Sequence, residues 1–359
     1  MMAVIIFILV LGILVLVHEW GHFIAAKKSG LMVEEFGFGF PPRIFSVKRG
    51  ETVYSINLLP LGGFVKILGE DGGENDSAKS FASKSVGVRG LITVSGVFMN
   101  FLLAIFLLII GFYIGLPQMI DKDNEALAKN VEIQIVAVSN NSPAEKAGIK
   151  IGDTVKFVKT ETKNIAIDEI SILQNNINNG KGKEITLVIQ RGKKILEVNA
   201  APRINPPEGE GALGIALAKT GVISYPWYES FWLGVKSAFI ISWEIIRGFF
   251  NLIKNLLMSG KIPQELSGPV GIAVLTNQAA SLGFIYLLQL TAFISLNLAI
   301  LNLLPFPALD GGRLLFLGIE KIKGGKINPK VENAVHSIGL ALLLALFVLI
   351  TYRDILRLK

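Results

Sequence analysis

An apolar run that ends in three ionisable side chains constrains this chain more than any other feature. Residues 14–28 read LVLVHEWGHFIAAKK, and nothing between the N-terminus and His18 carries a charge. Residues 2–26 are long and greasy enough to cross a bilayer, which takes about 20 residues. A backbone at that depth satisfies its N–H and C=O groups internally, so the run has to be helical. Charged side chains inside such a helix are costly and are retained for function. The run reads as a retained first span rather than a cleaved leader, because no Lys or Arg precedes Lys27.

The remainder of the chain repeats this pattern. Hydrophobic residues make up 51% of the 359 and charged residues only 18%, against roughly 25% in soluble domains. Further spans are expected at 90–116, 283–304 and 334–352, with the first occupying 1–27. Lys27, Lys28, Arg43, Lys48 and Arg49 follow the first span, and Arg313, Lys321, Lys323, Lys326 and Lys330 precede the last. Positive residues mark the inner side, so 28–89 and 305–333 face the cytoplasm and both termini lie outside. The net charge of +7 belongs to this bias and to a basic soluble segment, which excludes nucleic acid as the partner. The chain has no cysteine, so any metal must be held by His, Asp and Glu.

Two segments between the spans have their own character. Residues 120–218 are polar, rich in Asn and Gly turns, with β-rich runs such as VEIQIVAV and EITLVIQR. They suit a small α+β domain on the outer side. Residues 226–258 look like a span, but Lys236, Arg247 and Lys254 fall in one arc of a helical wheel, with Glu229, Glu244 and Asn251 beside them. A single polar stripe describes an amphipathic helix lying in the membrane interface. In the inner loop, Val53, Ser55 and Asn57 alternate with Tyr54, Ile56 and Leu58. A Pro-Leu-Gly-Gly turn then leads into Phe64 and Val65. This reads as a membrane-associated β-hairpin at about 52–68.

His18-Glu19-x-x-His22 is HExxH. Residues four apart share a helix face, so both imidazoles can aim at one ion, with Glu19 displaced to take a proton from water. Catalytic zinc usually has three protein ligands. Asp310, in NLAILNLLPFPALDGG, is the best third donor, since irregular backbone at membrane depth must be buried in protein or line a cavity. His18 and His22 lie about 25 Å down the first helix at 1.5 Å per residue. A third span that also runs inward brings Asp310 to a similar depth, which requires 226–258 not to cross. The third histidine, His336, is expected to snorkel to the inner surface. Asn302 and Asn297 are amide donors on the third span, suited either to substrate or to helix contacts. Gly96 and Asn100, one turn apart on the second, suit close helix packing or a site role equally.

With these motifs in place the chain resembles the site-2 protease family of intramembrane zinc peptidases, and is most similar to the bacterial branch that cleaves the anti-sigma factor of the envelope stress response. The likeness rests on HExxH, on Asn302-x-x-Pro305-x-Pro307-x-x-Asp310-Gly311, on Gly96-x-x-x-Asn100, and on PLGGFVKILGE (60–70) and LSGPVGIA (266–273). It implies Zn2+ held by His18, His22 and Asp310, with Glu19 catalytic. It also implies that Asn302, Asn297 and Asn100 assist at the substrate site, and that the hairpin, through Gly62, Gly63, Phe64 and Val65, pairs with an extended substrate. Residues 120–218 resemble one PDZ unit where the best-studied members carry two. The implied substrate is a single-span membrane protein, an anti-sigma factor or a signal-peptide remnant, in the bacterial inner membrane with both termini periplasmic. A scaffold that had lost catalysis would not need all four site residues, and an ion transporter would not need Glu19 between two ligands.

Overall fold

A computed structural model describes residues 2–70, 77–121, 124–159, 164–192, 194–259 and 268–357. The chain forms two compact units. One comprises the residues up to Ile109, Trp232–Asn277 and those from Leu290 onward; the other comprises Ile110–Phe231 and Gln278–Gln289.

The first unit holds the helices. Among the described residues four are long and apolar enough to cross a membrane: α1 (Met2–Lys28), α2 (Val86–Ile114), α7 (Phe284–Leu303) and α9 (Pro329–Arg357). Their outward residues, such as Ile5, Leu9 and Ile13 on α1 and Leu342, Leu346 and Leu349 on α9, are exposed, as lipid-facing residues are. The chain is therefore a multi-pass membrane protein. Helix α5 (Trp227–Ser259) is not among the four. Its Gly234 meets α2 so closely that a Cβ there would lie 2.5 Å from Ile109 Cγ1, and Phe239 meets Phe101 edge to face with ring centroids 5.2 Å apart. A further helix, α6 (Pro269–Leu282), precedes α7. The segment 305–333, expected as a loop, contains the amphipathic helix α8 (Asp310–Lys323).

The sheet between α1 and α2 is larger than the expected hairpin. Strands β1 (Val33–Arg49) and β2 (Thr52–Ile67) turn at Gly50-Glu51, where Arg49 pairs with Thr52. Pairing stops at Leu59 and resumes at Gly63, and the runs 53–56 and 63–66 point in opposite directions, so the chain does reverse across Pro60–Gly63, as its composition suggests. The register doubles back: Glu35–Phe38 match Gly63–Lys66 on one flank and Val53–Ile56 on the other, while Arg43–Arg49 match Asn57–Thr52. Four runs therefore lie side by side in the order 43–49, 52–57, 35–38, 63–66. Gly37, Gly39 and the Pro41-Pro42 pair disguise the first strand, because these residues are poor strand formers. The sheet sits against α1 through a core of Ala26, Leu31, Val33, Ile67 and Ile92.

The second unit carries a seven-stranded sheet: β3 (Leu116–Met119), β4 (Lys129–Val138), β5 (Thr154–Lys159), β6 (Asn164–Ala166), β7 (Ile185–Arg191), β8 (Lys194–Ala200) and β9 (Ile215–Ile223). Its order is β3-β9-β4-β5-β7-β8, with β6 on β5. The expected limits of 120–218 cut through this sheet, since Leu116–Met119 pairs with Thr220–Ile223. Helix α3 (Pro143–Lys146) starts where sequence chemistry dictates: Ser142 accepts the Glu145 N–H and Pro143 occupies the first turn. Helix α4 (Ile170–Asn179) buries Leu173 and Ile177 in a core with Ile133, Ile135, Leu187 and Ile189. Asp153, fully buried, takes two 2.6 Å hydrogen bonds from Arg191 and one of 2.8 Å from the Lys150 N–H. Breaking a buried pair from one side strands the partner's charge. Asp153→Ala is expected to destabilise this unit by about 2–3 kcal/mol, less than a fully buried pair because Arg191 is partly exposed. A lowered thermal midpoint checks it.

Candidate active site

Helix α1 places His18 and His22 on one face, one turn apart, with Glu19 on the next. Helix α2 crosses them at Gly96, where a Cβ would lie 2.3 Å from His22 Nε2 and 2.8 Å from His18 Cε1. Only glycine leaves room for both rings. The Nδ1–H of His22 donates to the Ile92 carbonyl at 2.8 Å. A carbonyl only accepts, so Nε2 is left with a free lone pair. His18 Nδ1 lies 3.5 Å from the buried Asn100 carboxamide. Asn100 Oδ1 has no partner in the recorded orientation. The two ends of a carboxamide are interchangeable in shape, and Oδ1 turned to the ring accepts its Nδ1–H and frees Nε2 as well. The Asn100 carbonyl accepts from Ser295 of α7 at 2.7 Å, tying the two helices at this level.

The third donor arrives from the end of α7. After Leu303 the chain passes Pro305 and Pro307, turns through Ala308 in a left-handed conformation (φ 75°), and enters α8 at Asp310. A Cβ on Gly311 would lie 2.1 Å from the Leu304 carbonyl, and one on Gly312 2.3 Å from that of Phe306. The glycines therefore let α8 start directly against the turn. Asp310 Oδ2 lies 3.1 Å from His18 Nε2 and 3.5 Å from His22 Nε2, and the two imidazole nitrogens are 3.2 Å apart. A tetrahedral zinc about 2.0–2.1 Å from each donor would separate them by about 3.3 Å. The three residues are the one group among the described residues with metal-ligand geometry. The donor set fits zinc, with the fourth position left for the reaction.

The three donors and Glu19 open into a cavity of about 380 Å³, together with Phe64–Ile67, the outer run of the β1–β2 sheet, and Ala308, Leu309 and Arg313. Gly63 passes close enough that a Cβ would lie 3.0 Å from Glu19 Cγ. Gly62 packs instead under the ring of Phe40. A second, polar cavity adjoins the first at Glu70, Phe81, Thr93 and Arg313. Arg313 pairs with Glu70 at the boundary.

Some expectations fall elsewhere. Asn297 and Asn302 do not line the catalytic cavity; Asn297 donates to the Phe293 carbonyl of its own helix at 2.9 Å. His336 does not snorkel: its Nδ1 accepts the Ala308 N–H at 2.9 Å. Arg313, read from the sequence only as a marker of the inner side, lines the cavity, and its partner Glu70 carried no signal beyond a charge beside the second strand.

Two histidines, a carboxylate and a glutamate gathered beside helices apolar enough to span a bilayer define a membrane metallohydrolase. The chain belongs to peptidase family M50, whose model matches residues 6–346, and it is a zinc metalloprotease. It is 36% identical to a putative zinc metalloprotease of Clostridium perfringens over 99% of both chains. It is 32% identical to the zinc metalloprotease RasP of Oceanobacillus iheyensis over the full length of both. It is also 32% identical to the regulator of sigma-W protease RasP of Bacillus subtilis, covering 99% of this chain and 98% of that one.

Proposed function

We propose that this chain hydrolyses a peptide bond within the membrane-spanning segment of a single-span protein, with His18, His22 and Asp310 holding the zinc and Glu19 as the base. The observation that carries this reading is the position of His18, Glu19 and His22 inside an apolar helix, with Asp310 brought to them beside the end run of a sheet. When bound, zinc polarises the scissile carbonyl and makes water a stronger acid. Glu19 accepts the proton of the attacking water and passes it to the leaving amine. Gly96 keeps the rings in place, Ile92 and Asn100 fix their tautomers, and the polar cavity past Arg313 admits water.

A helical substrate hides its carbonyls in its own hydrogen bonds, so it must be extended before it is cut. The run Gly63–Ile67 ends the order of the sheet and borders Glu19, which suits it to receive the substrate as an added strand. Proline lacks the N–H that a ladder needs. Val65→Pro is expected to lower cleavage by about tenfold or more, a loss of about 1.4 kcal/mol in transition-state binding, while zinc content is unchanged. Equal loss of both would remove the strand-pairing step.

The relative in Bacillus subtilis is named as a regulator of sigma-W. By analogy the substrate here is an anti-sigma factor already trimmed on its outer side, with signal-peptide remnants as a second class. The basic residues around α1 and α8–α9 support a bacterial cytoplasmic membrane location with both termini outside. The seven-stranded unit is then a single outer PDZ-like domain, and α5 an amphipathic helix at the outer interface leaning on α2. The test is cleavage of a tagged single-span substrate by purified protein. Chelation should abolish it and added zinc restore it; cleavage indifferent to both would overturn the assignment.

A further inference from the structure

His336 lies on α9 and touches none of the three metal donors. It reaches them through the backbone. Its Nδ1 accepts the N–H of Ala308, a residue held at φ 75°. A side chain with a Cβ adopts that conformation only where its surroundings impose it. Asp310 follows two residues later, at the first position of α8. Three residues along the same face of α9, Gly339 lets the helix approach the turn so closely that a Cβ would lie 2.4 Å from Pro307 Cβ and 2.6 Å from its carbonyl oxygen. The His336 ring also packs on Phe316 of α8, with centroids 5.5 Å apart. The turn that aims Asp310 is thus gripped from α9 by one hydrogen bond and one close packing contact.

We propose that His336 is a positioning residue for the third zinc donor: by accepting the Ala308 N–H it holds the left-handed turn that points Asp310 at His18 and His22. The inference rests on the zinc set proposed above and extends it to a helix that supplies no ligand. Groups that orient metal ligands without touching the ion typically contribute 10–100-fold in affinity.

Asparagine carries an acceptor oxygen at the position of Nδ1, whereas leucine fills similar space without one. His336→Leu is expected to weaken zinc binding by about 10–100-fold, measured by competition with a chelator on purified full-length protein. His336→Asn should retain most of the affinity. In zinc-free protein the Ala308 amide should exchange hydrogen faster in the leucine variant and stay protected in the asparagine one. Gly339→Ala, which leaves His336 intact and presses a methyl on Pro307, should also weaken zinc and gives the same readout if the leucine variant does not fold. Wild-type affinity in both His336→Leu and Gly339→Ala overturns the proposal, as does equal loss in the leucine and asparagine variants. The readout is separate from proteolysis: wild-type protein that binds zinc but cuts no membrane span would overturn the proposed function and leave this inference standing.

Discussion

Glu19→Gln is expected to retain one zinc per chain and to lose cleavage by a factor of about 10²–10⁴, the usual contribution of a positioned general base. The separation of the two effects follows from α1. Glu19 is one residue from His18, so its side chain projects about 100° around the helix from the metal-binding face. The three donors are spaced for an ion without it. Glutamine keeps the size and the backbone but cannot take a proton from water. Zinc content by elemental analysis, beside cleavage of a single-span substrate, distinguishes this outcome from a structural one. Parallel loss of both would make Glu19 a packing or ligand residue and remove it as the base.

Gly96→Ala should be nearly as damaging by the opposite route, emptying the site while leaving the helix intact. The added methyl would fall 2.3 Å from His22 Nε2 and 2.8 Å from His18 Cε1, so both rings must turn away. That breaks the bond from His22 Nδ1 to Ile92 and the chelate together. In a helix interior alanine is otherwise favoured over glycine by about 1 kcal/mol, so α2 itself should not suffer. Zinc affinity is expected to fall by about 100-fold or more. Gly90, on the same helix, provides the control: its nearest neighbour to an added Cβ is Leu314 at 3.9 Å. Gly90→Ala should bind zinc like the wild type. If both alanine variants do so, the close crossing of α1 and α2 does not shape the site.

The parts legible in the sequence were those whose signal is local or periodic. Four apolar runs of spanning length needed only hydropathy, and HExxH needed only the i, i+4 geometry of a helix already required. Asp310 stood out because prolines and glycines surround a carboxylate at a helix end. The same punctuation told less elsewhere. Pro60–Gly63 does mark a reversal, but it carries the chain across to the far flank of Glu35–Phe38, a placement no local signal shows. The earlier turn, Gly50-Glu51, sits in the polar stretch Lys48–Thr52, and the strand before it is masked by Gly37, Gly39 and two prolines. Helix α8 was hidden by Gly311 and Gly312, which here serve close approach to the Leu304 and Phe306 carbonyls. The contacts that finish the site, Gly96 under the two rings and His336 on Ala308, join residues 28 or more apart in the chain, and no periodicity records them.

The proposed cleavage falls inside the membrane-spanning segment, and mapping the bond that is cut tests this. The wild-type protein and a single-span substrate would be reconstituted together in lipid vesicles, and both fragments weighed by mass spectrometry. New termini are expected within the apolar segment of the substrate, absent with Glu19→Gln and absent after chelation. Zinc-dependent cuts confined to residues outside the span would contradict it, and would make this a protease that works beside the membrane rather than within it.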